Sequence, residues 1–162
     1  MKIITVDIGK CNGCRLCELA CSLRHVKEFN PAVARIQVIG FDELFCLPVT
    51  CFQCESPYCM EICPAGAITK GEAEGVRVSK EKCVGCKMCT LACPFGNIVF
   101  SVKEKAAIKC ELCDGRPECV LFCPTGALDF READTAMMYK KAALSEKIKE
   151  IYEGTGFMRE KR

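Results

Sequence analysis

Residues 83–94 read CVGCKMCTLACP, so that four cysteines follow one another at the spacing C-x2-C-x2-C-x3-C and a proline comes directly after the last. Three more quartets repeat this pattern, two with a longer middle gap and a following proline, and one without the proline. In chain order the quartets are Cys11, Cys14, Cys17 and Cys21; Cys51, Cys54, Cys59 and Cys63; Cys83, Cys86, Cys89 and Cys93; and Cys110, Cys113, Cys119 and Cys123. The chain is therefore organised as a fourfold internal repeat, with Cys46 outside it.

Metal ligation explains this crowding of cysteines better than disulfide bonds do. Disulfide-rich domains are typical of secreted proteins and spread their cysteines to link distant loops, whereas each quartet here spans only 11 to 14 residues. Structural zinc usually takes two separated cysteine pairs, or cysteine with histidine, and the chain has one histidine. Complete all-cysteine quartets, three of them ending in Cys-Pro, are typical of iron–sulfur ligation. We therefore predict four [4Fe–4S] clusters.

The fourth cysteine of such a quartet is not expected to share a cluster with the first three. In the bacterial ferredoxin pattern it ligates the other cluster of a pair, because it lies about one helical turn further on and faces away. The quartets are therefore expected to work in twos. Spacing alone allows a sequential pairing, first with second and third with fourth, as well as other arrangements.

The residues around the quartets predict an α+β fold built from short elements. Each unit reads as strand, cysteine loop, short helix, turn and strand. Strands are predicted at 3–8, 76–79 and 106–108, and turns at 64–68, 94–98 and 124–128. Residues 35–49 predict a hairpin with its turn at 40–43, and Cys46 is interpreted as a small buried apolar residue in its second strand.

The C-terminal segment differs in composition from the rest. Residues 132–152 contain no Gly or Pro and are rich in Ala, Glu, Lys, Met and Leu, which predicts a helix. Its apolar stripe would either pack on the chain's own domain or grip a partner subunit. The residues of this stripe are Met137, Met138, Ala142, Leu144, Ile148 and Ile151.

Composition and motifs argue against several classes of protein. The formal charge of +2 counts neutral cysteines, and four sites of 2− each would lower it to about −6, so nucleic-acid binding has no support. No apolar run reaches the roughly 18 residues of a membrane span, and residues 1–9 do not resemble a secretory signal, which predicts a cytoplasmic protein. No G-x-G-x-x-G after a strand and no G-x4-G-K-[ST] loop is present, so a nucleotide site is not expected.

Three features of the quartets occur together. Their middle gaps run two, four, two and five, three of them end in Cys-Pro, and the first is followed by SLRH at 22–25 and FNP at 29–31. In these features residues 1–130 resemble the four-cluster, ferredoxin-like iron–sulfur subunits of molybdenum and tungsten oxidoreductases, hydrogenases and carbon monoxide dehydrogenases. Within this family the chain looks most like the small subunit of tungsten-dependent aldehyde oxidoreductases.

The resemblance implies two dicluster modules in nested order, the outer from 1–30 and 100–130 and the inner from 48–100. The segment 131–162 is then a C-terminal helix and tail available for partner docking. The implied ligand sets are Cys11, Cys14, Cys17 and Cys123 (site 1); Cys51, Cys54, Cys59 and Cys93 (site 2); Cys83, Cys86, Cys89 and Cys63 (site 3); and Cys110, Cys113, Cys119 and Cys21 (site 4).

By the same resemblance we expect a non-catalytic electron-transfer subunit of an anaerobic oxidoreductase complex. Its expected partners are a large catalytic subunit with tungsten or molybdenum bound to a pterin, and a ferredoxin or a flavin or NAD subunit, in a hetero-oligomer without direct membrane insertion. The alternatives are a free-standing polyferredoxin, or a subunit of a hydrogenase, formate dehydrogenase or carbon monoxide dehydrogenase. His25 is expected to make a hydrogen bond that fixes the loop after Cys21.

Overall fold

The computed structural model describes residues 1–41, 45–71 and 75–154. Its elements are short, as the sequence predicts for an α+β chain divided by cysteine loops. The strands are β1 (Lys2–Val6), β2 (Ile36–Phe41), β3 (Phe45–Thr50), β4 (Ile68–Gly71), β5 (Gly75–Val78), β6 (Ile98–Ser101), β7 (Ala106–Lys109) and β8 (Leu128–Glu132). The α-helices are α1 (Leu16–Val26), α2 (Tyr58–Glu61), α3 (Met88–Ala92), α4 (Glu118–Leu121) and α5 (Ala133–Gly154).

The strands form two-stranded antiparallel sheets, and each predicted strand lies in one of them, except that the strand predicted at 3–8 ends at Val6 and a 3-10 helix begins at Ile8. β4 pairs with β5 and β6 pairs with β7, while β1 pairs with β8, so that Lys2 lies opposite Glu132. Each predicted turn precedes β4, β6 or β8 and has its glycine at φ of 56° or 64°, the left-handed region that glycine enters without steric cost. The local pattern of the repeat is therefore confirmed.

The predicted hairpin forms from β2 and β3, but its turn is partly misplaced. Gly40 and Phe41 belong to β2, where they pair with Cys46 and Phe45; residues 42–43 lie outside the described chain. The rings of Phe41 and Phe45 stack with centroids 4.8 Å apart, and such a cross-strand aromatic pair stabilises the ladder beyond the glycine. The hairpin packs on the first cysteine loop, because a Cβ on Gly13 would meet Cys46 Sγ at 2.6 Å.

Buried side chains form two separate cores, and both contain cysteines. One core combines thiols with aliphatic residues of β1, β2 and β8; its buried members are Ile4, Cys17, Cys21, Ala34, Ile36, Val38, Cys110, Leu112, Cys119 and Leu128. The other contains Cys59, Ile68, Val76, Cys89, Ile98 and Ala107. The cysteines thus lie where a protein of this size would otherwise place leucine or valine.

Glu18 anchors the hairpin to α1. It is only 3% exposed, and its Oε1 accepts a hydrogen bond of 2.6 Å from the backbone N–H of Val38. Hydrogen bonds to charged groups are worth about 1.5–3 kcal/mol, so Glu18→Ala is expected to lower the free energy of unfolding by about that amount. Anaerobic thermal or denaturant unfolding measures it. Glu28→Ala is the control, since Glu28 is exposed and its pair with Lys103 is worth little. Equal losses in both variants would contradict the assignment.

The helix predicted over 132–152 is present as α5, with Glu132 in β8 instead. α5 starts against the β1–β8 sheet, where the N–H of Ala133 donates to the carbonyl of Met1 at 2.9 Å. Further along, the described apolar side chains Met137, Met138, Leu144 and Ile148 are 57–73% exposed. In the described part of the chain, no helix combines the length and the apolar content needed to cross a membrane.

Candidate metal centres

Three apolar cavities are each lined by four cysteines. The sets are Cys11, Cys14, Cys17 and Cys123; Cys51, Cys54, Cys59 and Cys93; and Cys63, Cys83, Cys86 and Cys89. These are the side chains grouped above as sites 1, 2 and 3. In each cavity three cysteines come from one quartet and the fourth comes from another.

The thiols of site 4 lie close enough to one another to shift one another's pKa. Burial raises the pKa of Cys119, and the thiols of Cys110, Cys21 and Cys113 are the next largest contributions in the same direction. Cys110 and Cys113 likewise raise the pKa of Cys21. The structure thus brings together the four cysteines of this set, and that they bind iron remains a prediction.

Helix pairing explains how the fourth cysteine reaches another quartet's loop. α1, which carries Cys17 and Cys21, packs against α4, which carries Cys119. In the same way α2 packs against α3. The fourth cysteine of a quartet, which lies within α1 in the first quartet and just beyond its helix in the other three, is therefore held beside the loop that leads into the other helix.

The four cysteine loops share one feature of backbone conformation. The residue before the second cysteine of each quartet has a positive φ: 71° at Gly13, 52° at Gln53, 73° at Gly85 and 64° at Leu112. A left-handed residue at this point turns the chain sharply, so that neighbouring cysteines face the same cavity. Glycine supplies it without strain in the odd quartets, whereas the even quartets hold non-glycine residues there at a steric cost.

Burial disfavours the charged thiolate form of several of these cysteines. Burial raises the pKa of Cys17 to about 12 and of Cys21 to about 11, and it also raises the pKa values of Cys59, Cys89 and Cys113. Thiolates in such places need a cation, which iron supplies. Backbone N–H groups already point at sulfur; these donors are Arg35 to Cys21 at 3.2 Å, Ala67 to Cys63 at 3.3 Å and Ala107 to Cys83 at 3.5 Å.

The spread of the thiols favours a polynuclear group over a single ion. Tetrahedral zinc, with Zn–S bonds of about 2.3 Å, places its sulfurs about 3.8 Å apart. Among the described residues, the one group of three or more His, Cys or carboxylate ligand atoms within 4.8 Å of one another is His25, Glu111 and Cys113. Within the described ranges, no three thiols of a site are that close. The all-cysteine donor set therefore fits an iron–sulfur cubane better than a single zinc ion.

His25 lies against the fourth cysteine loop, which the sequence did not reveal. Its Nε2 is 3.4 Å from Glu111 Oε1 and 3.8 Å from Cys113 Sγ. The hydrogen bond predicted to fix the loop after the first quartet comes from other residues, since the N–H of Asn30 donates to Ser22 Oγ at 3.1 Å. The prediction for His25 is therefore wrong in its target, because the ring reaches across to a segment 88 residues away.

The imidazole of His25 is neutral near pH 7. Burial and the neighbouring Arg35 guanidinium lower its pKa to about 4. The carboxylate of Glu111 pairs with Arg35. The contact between His25 and Glu111 therefore involves a neutral ring and is not an ion pair.

Comparison with known proteins gives a family for these sites. Residues 42–133, more than half of the sequence, match the model of the 4Fe-4S dicluster domain, and residues 8–24 match the model of the 4Fe-4S binding domain. A subunit of the active site complex BamBC of benzoyl coenzyme A reductase superposes with a TM-score of 0.45 and 27% identity, covering 89% of each of the two proteins.

Curated relatives carry names from electron transport. The polyferredoxin-like subunit of the aliphatic sulfonate oxidoreductase of Pyrococcus furiosus is 43% identical over 91 residues, 56% of this chain and 51% of that protein. Electron transport protein HydN of Escherichia coli is 38% identical over 98 residues, 56% of this chain and 55% of that protein. The B subunit of the anaerobic dimethyl sulfoxide reductase of Escherichia coli is 33% identical over 102 residues, 54% of this chain and 49% of that protein. The chain thus spans about half the length of these relatives, and it belongs to the 4Fe-4S dicluster domain family.

Proposed function

We propose that the chain is an electron-transfer subunit that carries four [4Fe–4S] clusters, one at each of sites 1 to 4. The observation that carries this proposal is the convergence of the four quartets into four groups of four thiols, in a family of [4Fe–4S] domains. When bound, such a cluster accepts and releases one electron without changing its ligands. The chain's own part is to hold the thiols, exclude water and offset their charge with N–H donors.

The proposal includes the nested pairing of quartets, first with fourth and second with third. It is supported by the two separate cores, by the packing of α1 on α4 and of α2 on α3, and by the β1–β8 sheet that joins the two ends of residues 1–130. In this arrangement the inner module, 48–100, lies within the outer one along the sequence. Two dicluster modules side by side provide a path from one end of the protein to the other.

A catalytic oxidoreductase subunit is the proposed partner at one end of this path. Relatives are named as subunits of an aliphatic sulfonate oxidoreductase and of a dimethyl sulfoxide reductase. By analogy, this chain would transfer electrons between a catalytic subunit of tungsten or molybdenum type and a ferredoxin or flavin subunit. Substrate chemistry would belong to the partner, and the complex is proposed to be cytoplasmic. The alternative is a free-standing polyferredoxin. It is favoured by the relative HydN, which is named as an electron transport protein.

α5 is the proposed docking element for this partner. Met137, Leu144 and Ile148 follow one another at helical spacing and therefore lie on one face. All three are more than half exposed, an unfavourable arrangement for large apolar side chains unless another surface covers them. Their occupant is proposed to be the catalytic subunit, since the cores of the cluster domain are already filled.

Serine at all three positions is expected to weaken the complex by about 100-fold, because buried apolar anchors account for most of the energy of an interface. The matched control is Glu146→Ser with Glu150→Ser, on the opposite face of α5, which should bind as tightly as the wild type. Binding is measured between the purified partner and each loaded variant, and iron per chain is measured alongside it. Unchanged binding by the variant of the apolar face would rule out this docking surface.

The proposed function is tested by analysing iron, acid-labile sulfide and zinc per chain on protein purified without oxygen. About 16 iron and 16 sulfide are expected for four cubanes, with a large subunit that contains tungsten or molybdenum co-purifying. Zinc without sulfide would overturn the proposal. Full clusters on a monomer without a partner would favour the free-standing polyferredoxin.

A further inference from the structure

Lys109 is a buried ammonium group that contacts backbone carbonyls and, in the described part of the chain, no carboxylate. The residue is 4% exposed, and its Nζ donates to the carbonyls of Val76 at 2.5 Å and Cys110 at 2.8 Å. Among the described residues, no carboxylate forms an ion pair with it within 4.0 Å. A buried charge is costly unless it is compensated by an opposite one. Two neutral carbonyls do not supply that charge, so its counter-charge must come from elsewhere.

Gln53 connects the same two residues from the other side. It is fully buried; its Nε2 donates to the carbonyl of Cys110 at 2.9 Å, and its Oε1 accepts from the N–H of Val76 at 2.9 Å. Its φ of 52° is one that glycine would adopt more easily, as Gly85 does at the equivalent point of the third quartet. Glycine at this position would relieve the strain but could not make this bridge.

The bridge lies between two of the thiol groups. Gln53 belongs to the loop of Cys51 and Cys54, and Lys109 lines the cavity of site 2. The carbonyl that both side chains bind belongs to Cys110, a member of site 4. Lys109 shares the lining of this cavity with the thiols of Cys51, Cys54, Cys59 and Cys93, so its charge lies beside them.

The two described carboxylates that border the same cavity as Lys109 are already paired. Lys109 also borders a polar cavity that includes Glu111 and Asp114. Glu111 pairs with Arg35, and Asp114 with Arg77 at 2.9 Å. Within the described ranges, the negative groups that remain for Lys109 are the cysteine thiolates of sites 2 and 4.

We propose that Lys109 is a buried counter-ion shared by sites 2 and 4, and that with Gln53 it forms the junction through which electrons pass between the two modules. The inference rests on the proposed function, because it requires clusters at both sites. One electron moves from one site to the other, with no bond made or broken and no proton transferred. A fixed positive charge stabilises the reduced, more negative form, so Lys109 raises the reduction potentials of sites 2 and 4 relative to sites 1 and 3.

The test compares loaded wild-type protein with Lys109→Met by potentiometric titration followed by electron paramagnetic resonance. With four clusters retained, two of the four midpoint potentials are expected to become more negative, each by a shift equivalent to about tenfold in the one-electron equilibrium constant, or about 59 mV. Lys109→Arg keeps the positive charge, so both midpoint potentials should equal those of the wild type. The matched control is Lys70→Met, because Lys70 also donates to a carbonyl of a cluster loop, that of Cys54, but is exposed to solvent.

The outcomes separate this inference from the proposed function. Fewer than four clusters in the wild type would refute the proposed function, whatever Lys109 does. Four clusters in Lys109→Met with all potentials unchanged, or a shift as large in Lys70→Met, would refute the counter-ion. If Lys109→Met does not load, Gln53→Glu serves instead: it places a carboxylate beside the ammonium, and both potentials should fall. Failure of Lys109→Arg to load would show that packing and not charge is required, and would also overturn the proposal.

Discussion

Removal of the iron is expected to unfold the protein almost completely. The two cores are built partly from cysteines, so without clusters they lose both contacts and cross-links. The remaining elements cannot stand alone: sheets of two strands and helices of four or five residues are marginal in water. Because ligand binding and folding are coupled in such proteins, the free energy of metal binding is also free energy of folding. Most of the fold therefore depends on metal binding.

The measurement is circular dichroism and amide proton NMR before and after anaerobic treatment with an iron chelator, with thiols kept reduced. We expect loss of chemical-shift dispersion and of most secondary structure, with part of α5 as the element least dependent on iron. Adding iron and sulfide back should restore the folded spectrum. A dispersed spectrum that persists after the iron is gone would show that the packed side chains suffice.

The pairing of the quartets is expected to be decided by two double variants. In the nested arrangement Cys21 and Cys119 share a site, so replacing both with Ala should damage one cluster and leave three intact. Cys21 and Cys59 belong to different sites, and their double replacement should damage two. Sequential pairing reverses these results, because Cys21 would then share a cluster with Cys59. Counting intact clusters by spin quantitation distinguishes the two arrangements.

Cys46→Ala is the control for these variants. Cys46 packs on the first cysteine loop but belongs to none of the four thiol groups, so all four clusters should remain. A three-thiol site retains fewer irons and has a different spectrum, which allows damaged sites to be counted even when they are not empty. A cluster lost from Cys46→Ala would show that the sixteen predicted ligands are incomplete.

The sequence predicts the local structure well because the constraint is local. A cysteine loop must turn within a few residues, and proline and glycine mark each return to a strand, so β4, β6 and β8 were foreseeable. The hairpin of β2 and β3 was predicted from the order strand, turn and strand over residues 35–49. Its turn was misplaced because Gly40 looks like a turn residue, whereas the stacking of Phe41 on Phe45 keeps that segment extended.

Contacts between distant segments were not predictable from spacing. Lys109 ends an apolar run and reads as an ordinary charged residue at a strand end; only the fold shows that it is buried beneath Val76. Gln53 reads as a neutral loop position, and the carbonyl to which it donates belongs to Cys110, 57 residues away. Glu18 was similarly missed, since its partner Val38 lies beyond the loop that follows α1. Each is a polar side chain whose hydrogen-bond partner is distant in sequence and becomes a neighbour only in the folded chain.

The pairing of β1 with β8 has a consequence for how the protein is made. Synthesis proceeds from the N-terminus and chains fold in segments as they emerge from the ribosome. Residues 48–100 can come together as soon as they have emerged, whereas β1 must wait until residues 128–132 are available. Cys21 must likewise wait for Cys110 and Cys113. The outer module is therefore completed after the inner module, residues 48–100, has had time to bind iron. A nascent chain stalled before residue 128 would leave the N-terminal thiols exposed to metal and oxygen.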